Sequence, residues 1–350
     1  MIELLGMHQP SRRRANLALT SLTVAFLHRG GGLLLAAALI LLAAPVPQAR
    51  AQWQPVKPIE FVVMAGKGGG ADKAVRFMVD LIARLKLSTQ PFTVVNMPGK
   101  SGGDALAYLK GKTGDDHVIL FTLNSFYTTP LDQPQLGVDI AKFAPIARLG
   151  EDVFLLWVHT DEKDIRSIDD FVKAAKAKGK DWVMAGTGTG SEDQLLTEFL
   201  NATYGLKMTY RPMGGGGEVA KELADKKANS TVNNPSEQNE FYPKGVTKPI
   251  VAITPQRLQQ YQAVPTLRET GMDFHYFMQR SVVGAPSLTA PAKAYYDQLF
   301  KRLFDSAEWQ QYRVKNSLGG ELLSGPALMS YWLAEREKHT RWKMAIELMR

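Results

Sequence analysis

The chain contains no cysteine, and its six histidines are scattered. The first absence excludes a disulfide scaffold, a cysteine-ligated zinc or iron–sulfur centre and a thiolate nucleophile. The histidines form no HExxH or similar ligand spacing, and no GxSxG nucleophile elbow occurs. No uninterrupted apolar run reaches the roughly 20 residues that a bilayer span needs. With 45% hydrophobic and 22% charged residues over 350 positions, the chain is neither disordered nor low-complexity, and it is long enough for about two domains with ample cores. No metal and no cofactor are expected. What is plentiful is glycine, with 30 residues, much of it in short runs.

The formal net charge of +8 would suggest nucleic acid or a membrane surface if it belonged to the working protein. Half of it lies in the first 51 residues, which read as a signal peptide. Arg12, Arg13 and Arg14 form a cationic start, Leu33–Ala44 is an apolar run of 12 residues, and Ala49-Arg50-Ala51 offers small residues where a signal peptidase cuts. Cleavage is expected before Gln52, and the location expected is the periplasm. The chain beyond carries 37 basic and 33 acidic residues, a net charge of +4, with no basic run interleaved with aromatics. Nucleic acid is therefore not an expected partner.

From Gln52 onward, strand-like and helix-like segments alternate. Ile59–Met64, Phe92–Asn96 and Val118–Thr122 read as strands. Ala71, Val75, Met78, Ile82 and Leu85 recur on one helical face. The rhythm restarts past Ala144, with strands expected at Val153–Val158, Trp182–Ala185, Met208–Tyr210 and Lys248–Ile253. Ser167–Ala177 reads as a helix, and another carries Leu195, Leu196, Phe199 and Leu200. Beyond Pro291 the chain reads as mostly helical, with Trp309, Tyr312, Leu328, Tyr331 and Trp332 as core. The pattern predicts an α/β protein of two lobes, each a mainly parallel sheet flanked by helices, with ligand between them. The expected division is 52–150 for the first lobe, 151–248 for the second, and 249–350 returning to the first.

Two glycine loops join a strand to a helix. Gly66-Lys67-Gly68-Gly69-Gly70 precedes Ala71 and Asp72, and Gly186-Thr187-Gly188-Thr189-Gly190 precedes Ser191. Without side-chain bulk the backbone N–H groups can approach a ligand, and the helix N-terminus adds unpaired donors and partial positive charge. Two such sites, one per lobe, would grip a molecule with a carboxylate at each end. Either loop could equally be a tight turn, and Ser191 with Gln194 fits a capping box. Asp72, Glu192 and Asp193 lie in first turns, where they suit the helix dipole but would repel an anion unless turned away. Neither loop completes a nucleotide motif: the first lacks the Lys-Ser/Thr ending of a P-loop, and the second has Ser191 where a dinucleotide fingerprint needs its last glycine.

Several segments, in order and spacing, resemble the periplasmic substrate-binding proteins of tripartite tricarboxylate transporters, the TctC/Bug family. They are Lys57-Pro58-Ile59 with Gly68-Gly69-Gly70-Ala71-Asp72, Asn96-Met97-Pro98-Gly99 through Gly102-Gly103, Phe143-Ala144-Pro145-Ile146-Ala147, Val264–Gly271 and Gly284-Ala285-Pro286. Gly188–Gln194 and Ser230–Glu237 are similar to a branch that binds dicarboxylates, aromatic ones such as terephthalate included. The resemblance implies a type 2 periplasmic binding fold, with a discontinuous first lobe, hinged around its ligand. It implies a ligand site at Gly68, Gly69, Gly70, Ala71 and Asp72, at Gly188, Thr189, Gly190 and Ser191, and along segments holding Asn124, Ser125, Asn234 and Ser236. Two departures stand out. Lys67 replaces a common proline and either adds charge to the site or is solvated. Arg280 replaces a common aromatic and either pairs with a ligand carboxylate or braces the hinge.

The reading is a non-enzymatic binding protein for a small di- or tricarboxylate, with membrane permease subunits as its partner. The rival readings are a ligand-sensing partner of a membrane sensor kinase and an exported enzyme on the same fold, against which the lack of a nucleophile or metal motif counts.

Overall fold

The computed structural model describes residues 53–348, so the expected signal peptide and its cleavage site lie outside the described residues. In chain order the first part holds β1 (Ile59–Val63), α1 (Gly70–Arg84), β2 (Phe92–Asn96), α2 (Gly103–Gly111), β3 (Val118–Thr122), α3 (Ser125–Asp132) and β4 (Ala144–Val153). Next come β5 (Leu155–His159), α4 (Ile168–Lys178), β6 (Val183–Thr187), α5 (Glu192–Tyr204), β7 (Thr209–Met213), α6 (Gly216–Ala224), β8 (Ser230–Asn233), the single turn α7 (Pro235–Gln238) and β9 (Thr247–Ala252). The chain ends with β10 (Phe277–Gly284), α8 (Ala290–Asp305), α9 (Ala307–Lys315) and α10 (Gly325–Leu348).

The strands form two five-stranded sheets, ordered β2-β1-β3-β10-β4 and β7-β6-β8-β5-β9. In each, four strands share a direction and one runs against them: β10 in the first sheet and β5 in the second. The two lobes of mainly parallel sheet are as expected, and each sheet is mixed only in taking one opposed strand from the crossing between lobes. The chain leaves the first sheet after Val153 and returns with Phe277, so the expected limits at 150/151 and 248/249 fall inside β4 and β9. Strand prolines sit where they cost no ladder bond: Pro145, Pro212 and Pro249 all lie in edge strands.

Periodicity accounts for most of these elements. In α1, Ala71, Ala74, Val75, Met78, Leu81 and Ile82 form the buried stripe against the first sheet. A reciprocal capping box between Ser167 and Asp170 starts α4. Phe61 meets Phe92, Phe121 and Phe300 edge-on, joining sheet to C-terminal helices. Trp309, Leu328 and Trp332 are fully buried, while Tyr312 and Tyr331 are half-buried.

β10 was not apparent as a strand because Gln279-Arg280-Ser281 interrupts its apolar run. All three are buried, and the fold satisfies them. The side chain of Gln279 donates to the Leu123 carbonyl and accepts from Trp332 Nε1 at 2.7 Å and from Ser281 Oγ at 2.7 Å. Arg280 pairs with Asp152 on the neighbouring β4.

Candidate functional site

The loops after β1, β3, β6, β7 and β8 converge on a cavity of about 210 Å³ between the two sheets. Its walls include Gly69, Gly70 and Ala71 at the start of α1, Ser125 at the start of α3, Ser191 and Glu192 at the start of α5, and Gly215 and Gly216 at the start of α6. Four helix N-termini thus bring backbone N–H groups and the positive ends of their dipoles to one volume. This cavity shares Pro98, Ser101, Gly188, Ser191, Met213 and Gly214 with a wider opening of about 720 Å³, which reaches Lys343 and Glu347 on α10.

Glycine lets the two lobes meet. A Cβ on Gly66 would run into the Gly214 carbonyl, and one on Gly217 would lie 2.9 Å from the Gly68 carbonyl oxygen. Gly188, at a left-handed φ of 49°, faces Ser101, whose hydroxyl donates to the Thr189 carbonyl. The first glycine loop therefore lies directly against Gly214–Gly217, and the second against the Pro98–Ser101 turn. Gly214, Gly215 and Gly216 thereby join the cavity wall, although the sequence pointed only to the other two loops.

Of the residues expected in the site, Gly69, Gly70, Ala71, Ser125, Gly188, Ser191, Asn234 and Arg280 line the inner cavity. Thr189 and Gly190 line the wider opening, with Gly188 and Ser191 common to both. Lys67 is exposed and Gly68 partly buried, and neither lines the cavity or the wider opening. Ser236 lies beside α1, where a Cβ on Gly70 would be 3.0 Å from its hydroxyl. Asn124 is spent on β10: its amide donates to Tyr276 Oη at 3.1 Å and the Phe277 carbonyl at 2.8 Å, and its oxygen accepts from Gln279 N–H at 3.0 Å.

The first-turn acids behave in two ways. Burial works against a charged Asp72, but hydrogen bonds from Arg76, the Gly68 amide and Asn96 hold its carboxyl below the usual range. Glu192 and Asp193 instead line the cavity and are buried. Glu192 Oε1 accepts from Ser125 N–H at 2.8 Å, across the cleft. Asp193 Oδ2 accepts from Thr187 N–H at 2.8 Å. Burial pushes both carboxyls up, Asp193 the further, helped by the charge of Glu237. Ser191 Oγ caps Gln194 N–H, but Gln194 Oε1 turns to Gly190 N–H, so the capping box is half made.

Arg280 lines the cavity and also holds the crossing between the lobes. Its guanidinium binds Asp152 on β4 and donates to Asn234 Oδ1 at 3.0 Å, while Asn234 Nδ2 donates to the Val153 carbonyl at 2.8 Å. All three side chains are buried, and they tie the start of α7 to the point where the chain crosses between lobes. Burial raises Asp152 to about 6, against the pull of Arg280 and with the push of Glu237. Asp152 pairs with Arg280, so the donors this cleft offers an anion are its backbone amides.

Glu237 escaped the sequence reading as a site residue, although the segment Ser230–Glu237 stood out. Its Oε1 accepts from Gly70 N–H at 3.0 Å, and its Oε2 accepts from Asn233 Nδ2 at 2.9 Å and Asn234 N–H at 3.0 Å. A Cβ on Gly216 would overlap this carboxylate. The signal available was an acid three residues after Asn234, the spacing of a capping box, of which the Glu237 half forms while Asn234 Oδ1 turns to Arg280.

Residues 77–309 match the family model described as Tripartite tricarboxylate transporter family receptor, TctC. BugT of Bordetella pertussis is 25% identical over 258 residues, covering 71% of this chain and 76% of that one. A UPF0065 protein from the gbd 5' region of Cupriavidus necator is 25% identical over 294 residues, 83% and 87% of the two chains. Among solved structures, the periplasmic binding protein BugD superposes with a TM-score of 0.77 at 18% identity, over 84% of this chain and 98% of that one. R. palustris Rpa4515 with adipate gives 0.76 at 19%, over 84% and 98%. MatC from Rhodopseudomonas palustris with bound malate gives 0.73 at 20%, over 83% and 99%. The structural likenesses carry the two-lobed fold. With the family match running from within α1 into α9, the chain belongs to the tripartite tricarboxylate transporter receptor family, the periplasmic solute-binding proteins of the TctC/Bug type.

Proposed function

We propose that this protein captures a small di- or tricarboxylate, aromatic dicarboxylates included, between its lobes and hands it to the membrane permease of a tripartite tricarboxylate-type transporter. Capture takes place outside the cytoplasmic membrane, after removal of residues 1–51. The observation that carries the reading is the convergence of the N-termini of α1, α3, α5 and α6 on one cavity. That these amides take carboxylates is visible in the chain's own Glu192 and Glu237, which Ser125 and Gly70 already hold. The structures of Rpa4515 with adipate and MatC with malate show that the fold accommodates such ligands in relatives.

Shutting the jaws excludes water, so each amide–carboxylate bond acts in a medium of lower dielectric. Burial raises the carboxyls of Glu192 and Asp193, and a proton taken up by either lessens the repulsion an entering anion meets. No step here calls for turnover, and the role is binding and release.

The test is a thermal-shift panel on the purified protein with malate, adipate, succinate, citrate and terephthalate, alongside mass spectrometry of any co-purifying small molecule. At least one di- or tricarboxylate should raise the melting temperature in a concentration-dependent way. A panel without effect, together with a co-purified molecule lacking two carboxylates, would remove the reading.

A further inference from the structure

The carboxylate of Glu237 sits where the starts of α1 and α6 face each other across the cleft. The side chain is rooted in the second lobe through Asn233 and Asn234, yet one oxygen reaches Gly70 N–H in the first. Gly216 is bare of a side chain where this carboxylate lies, and Gly69 stands close by. Every partner of the two oxygens is a donor, so the group is held as a bound anion is held. Glu192 repeats the arrangement, with its root in α5 and its Oε1 on Ser125 N–H at the start of α3.

Resting on the carboxylate reading above, we propose that Glu237 is an internal competitor for the ligand. It occupies the Gly70 amide and fastens the lobes together, and an incoming carboxylate must take that amide from it. Glu237 then sets affinity and release: a ligand exchanges one anion for another in the same clamp, rather than filling unpaired donors. The exchange leaves Glu237 anchored, because Asn233 and Asn234 keep its second oxygen. The second lobe thus presents an anion of its own to the first, and a solute with a carboxylate at each end can replace both Glu237 and Glu192.

Three proteins test this: the wild type, Glu237→Ala and Gly216→Ala. The alanine at 237 removes the competitor, whereas the alanine at 216 keeps Glu237 but puts a methyl group where its carboxylate now lies. Small-angle scattering without added ligand reads the fastening, and calorimetric titration with adipate, malate and terephthalate reads the competition. Without ligand, both variants should scatter as a more open particle than the wild type. Glu237→Ala should bind its dicarboxylate about tenfold more tightly, the size expected for one charge-assisted hydrogen bond no longer displaced. Gly216→Ala should bind more weakly, because its methyl group also obstructs the ligand. Scattering that is identical in the wild type and Glu237→Ala would overturn the fastening. Affinity that is unchanged or lower in a folded Glu237→Ala would overturn the competition. If no carboxylate binds any of the three, the carboxylate reading fails, while the scattering comparison still decides whether Glu237 holds the lobes.

Discussion

Arg280 and Asp152 are each 2% exposed at the side chain and have one another as their main charge partner. Removing one charge leaves the other buried and unpaired, which typically costs about 3–5 kcal/mol. Arg280→Met is therefore expected to lose stability of that order in urea denaturation, whereas the double variant Arg280→Met with Asp152→Leu should recover much of it. A loss within experimental error for the single variant would show that the pair is dispensable to the fold. Gly66 makes the complementary case at the backbone. Its α-carbon packs against Gly214 and Gly215, so Gly66→Ala separates the jaws. We expect the fold to survive, because the loop is not a core element, and ligand affinity to fall at least about tenfold as amide contacts are lost. Equal affinity in titration calorimetry would take the Gly66–Gly214 contact out of the closing surface. The glycines of this clamp were legible as loops, but the pairing of loop with loop was not. Which run faces which depends on the crossing of the chain between lobes, and no local pattern encodes that.

At the level of elements, strands built on β-branched and aromatic residues were legible to the residue, as β2 and β3 show. Strands with polar centres were not. β4 carries Arg148, Glu151 and Asp152, β8 reads Ser-Thr-Val-Asn, and β10 carries Gln279-Arg280-Ser281. Their polar groups are paid for by partners far along the chain, such as Trp332 for Gln279, and such pairs leave no periodic trace in sequence. The site inherits this opacity, since Glu237 and Asp152 act through just such long-range partners. α10 holds another. His339 Nε2 accepts from Tyr276 Oη at 2.9 Å and its Nδ1–H donates to the Glu335 carbonyl at 2.7 Å, an assignment that follows from Glu335 offering only an acceptor. Burial pushes the ring down from 6.5 to about 4. The unfolded chain then takes up a proton that the folded protein refuses, so this contribution to stability is present above pH 6.5 and is lost as pH falls towards 4. Its size is on the order of 3 kcal/mol. Buried carboxyls such as Asp193 work in the opposite sense, so the informative comparison is between proteins. Between neutral pH and mild acid, His339→Gln should lose less melting temperature than the wild type. Parallel curves would mean that His339 does not resist protonation.

The whole molecule joins two sheets through the β4–β5 and β9–β10 crossings, and its binding potential arises where their loops meet. Among the described residues no helix is long and apolar enough to cross a membrane. Glu192, Asp193 and Glu237 line the cavity with carboxyls, against the guanidinium of Arg280, which Asp152 already pairs. An anion entering that setting raises the proton affinity of Glu192 and Asp193 further. Dicarboxylate binding should therefore take up protons and tighten as pH falls from neutral, which titrations in buffers of different ionisation enthalpy would register. Binding without proton uptake, and no tighter towards acid, would show that these carboxyls stay ionised.

The central claim is that two ends of the cleft each hold one carboxylate of the ligand. It is tested most directly by titration calorimetry with matched pairs, adipate against hexanoate, succinate against butyrate and terephthalate against p-toluate. The account predicts that, in the pair that fits the cavity, the dicarboxylate binds at least about tenfold more tightly than its monocarboxylate partner. A monocarboxylate that binds as tightly as the matched dicarboxylate would contradict it.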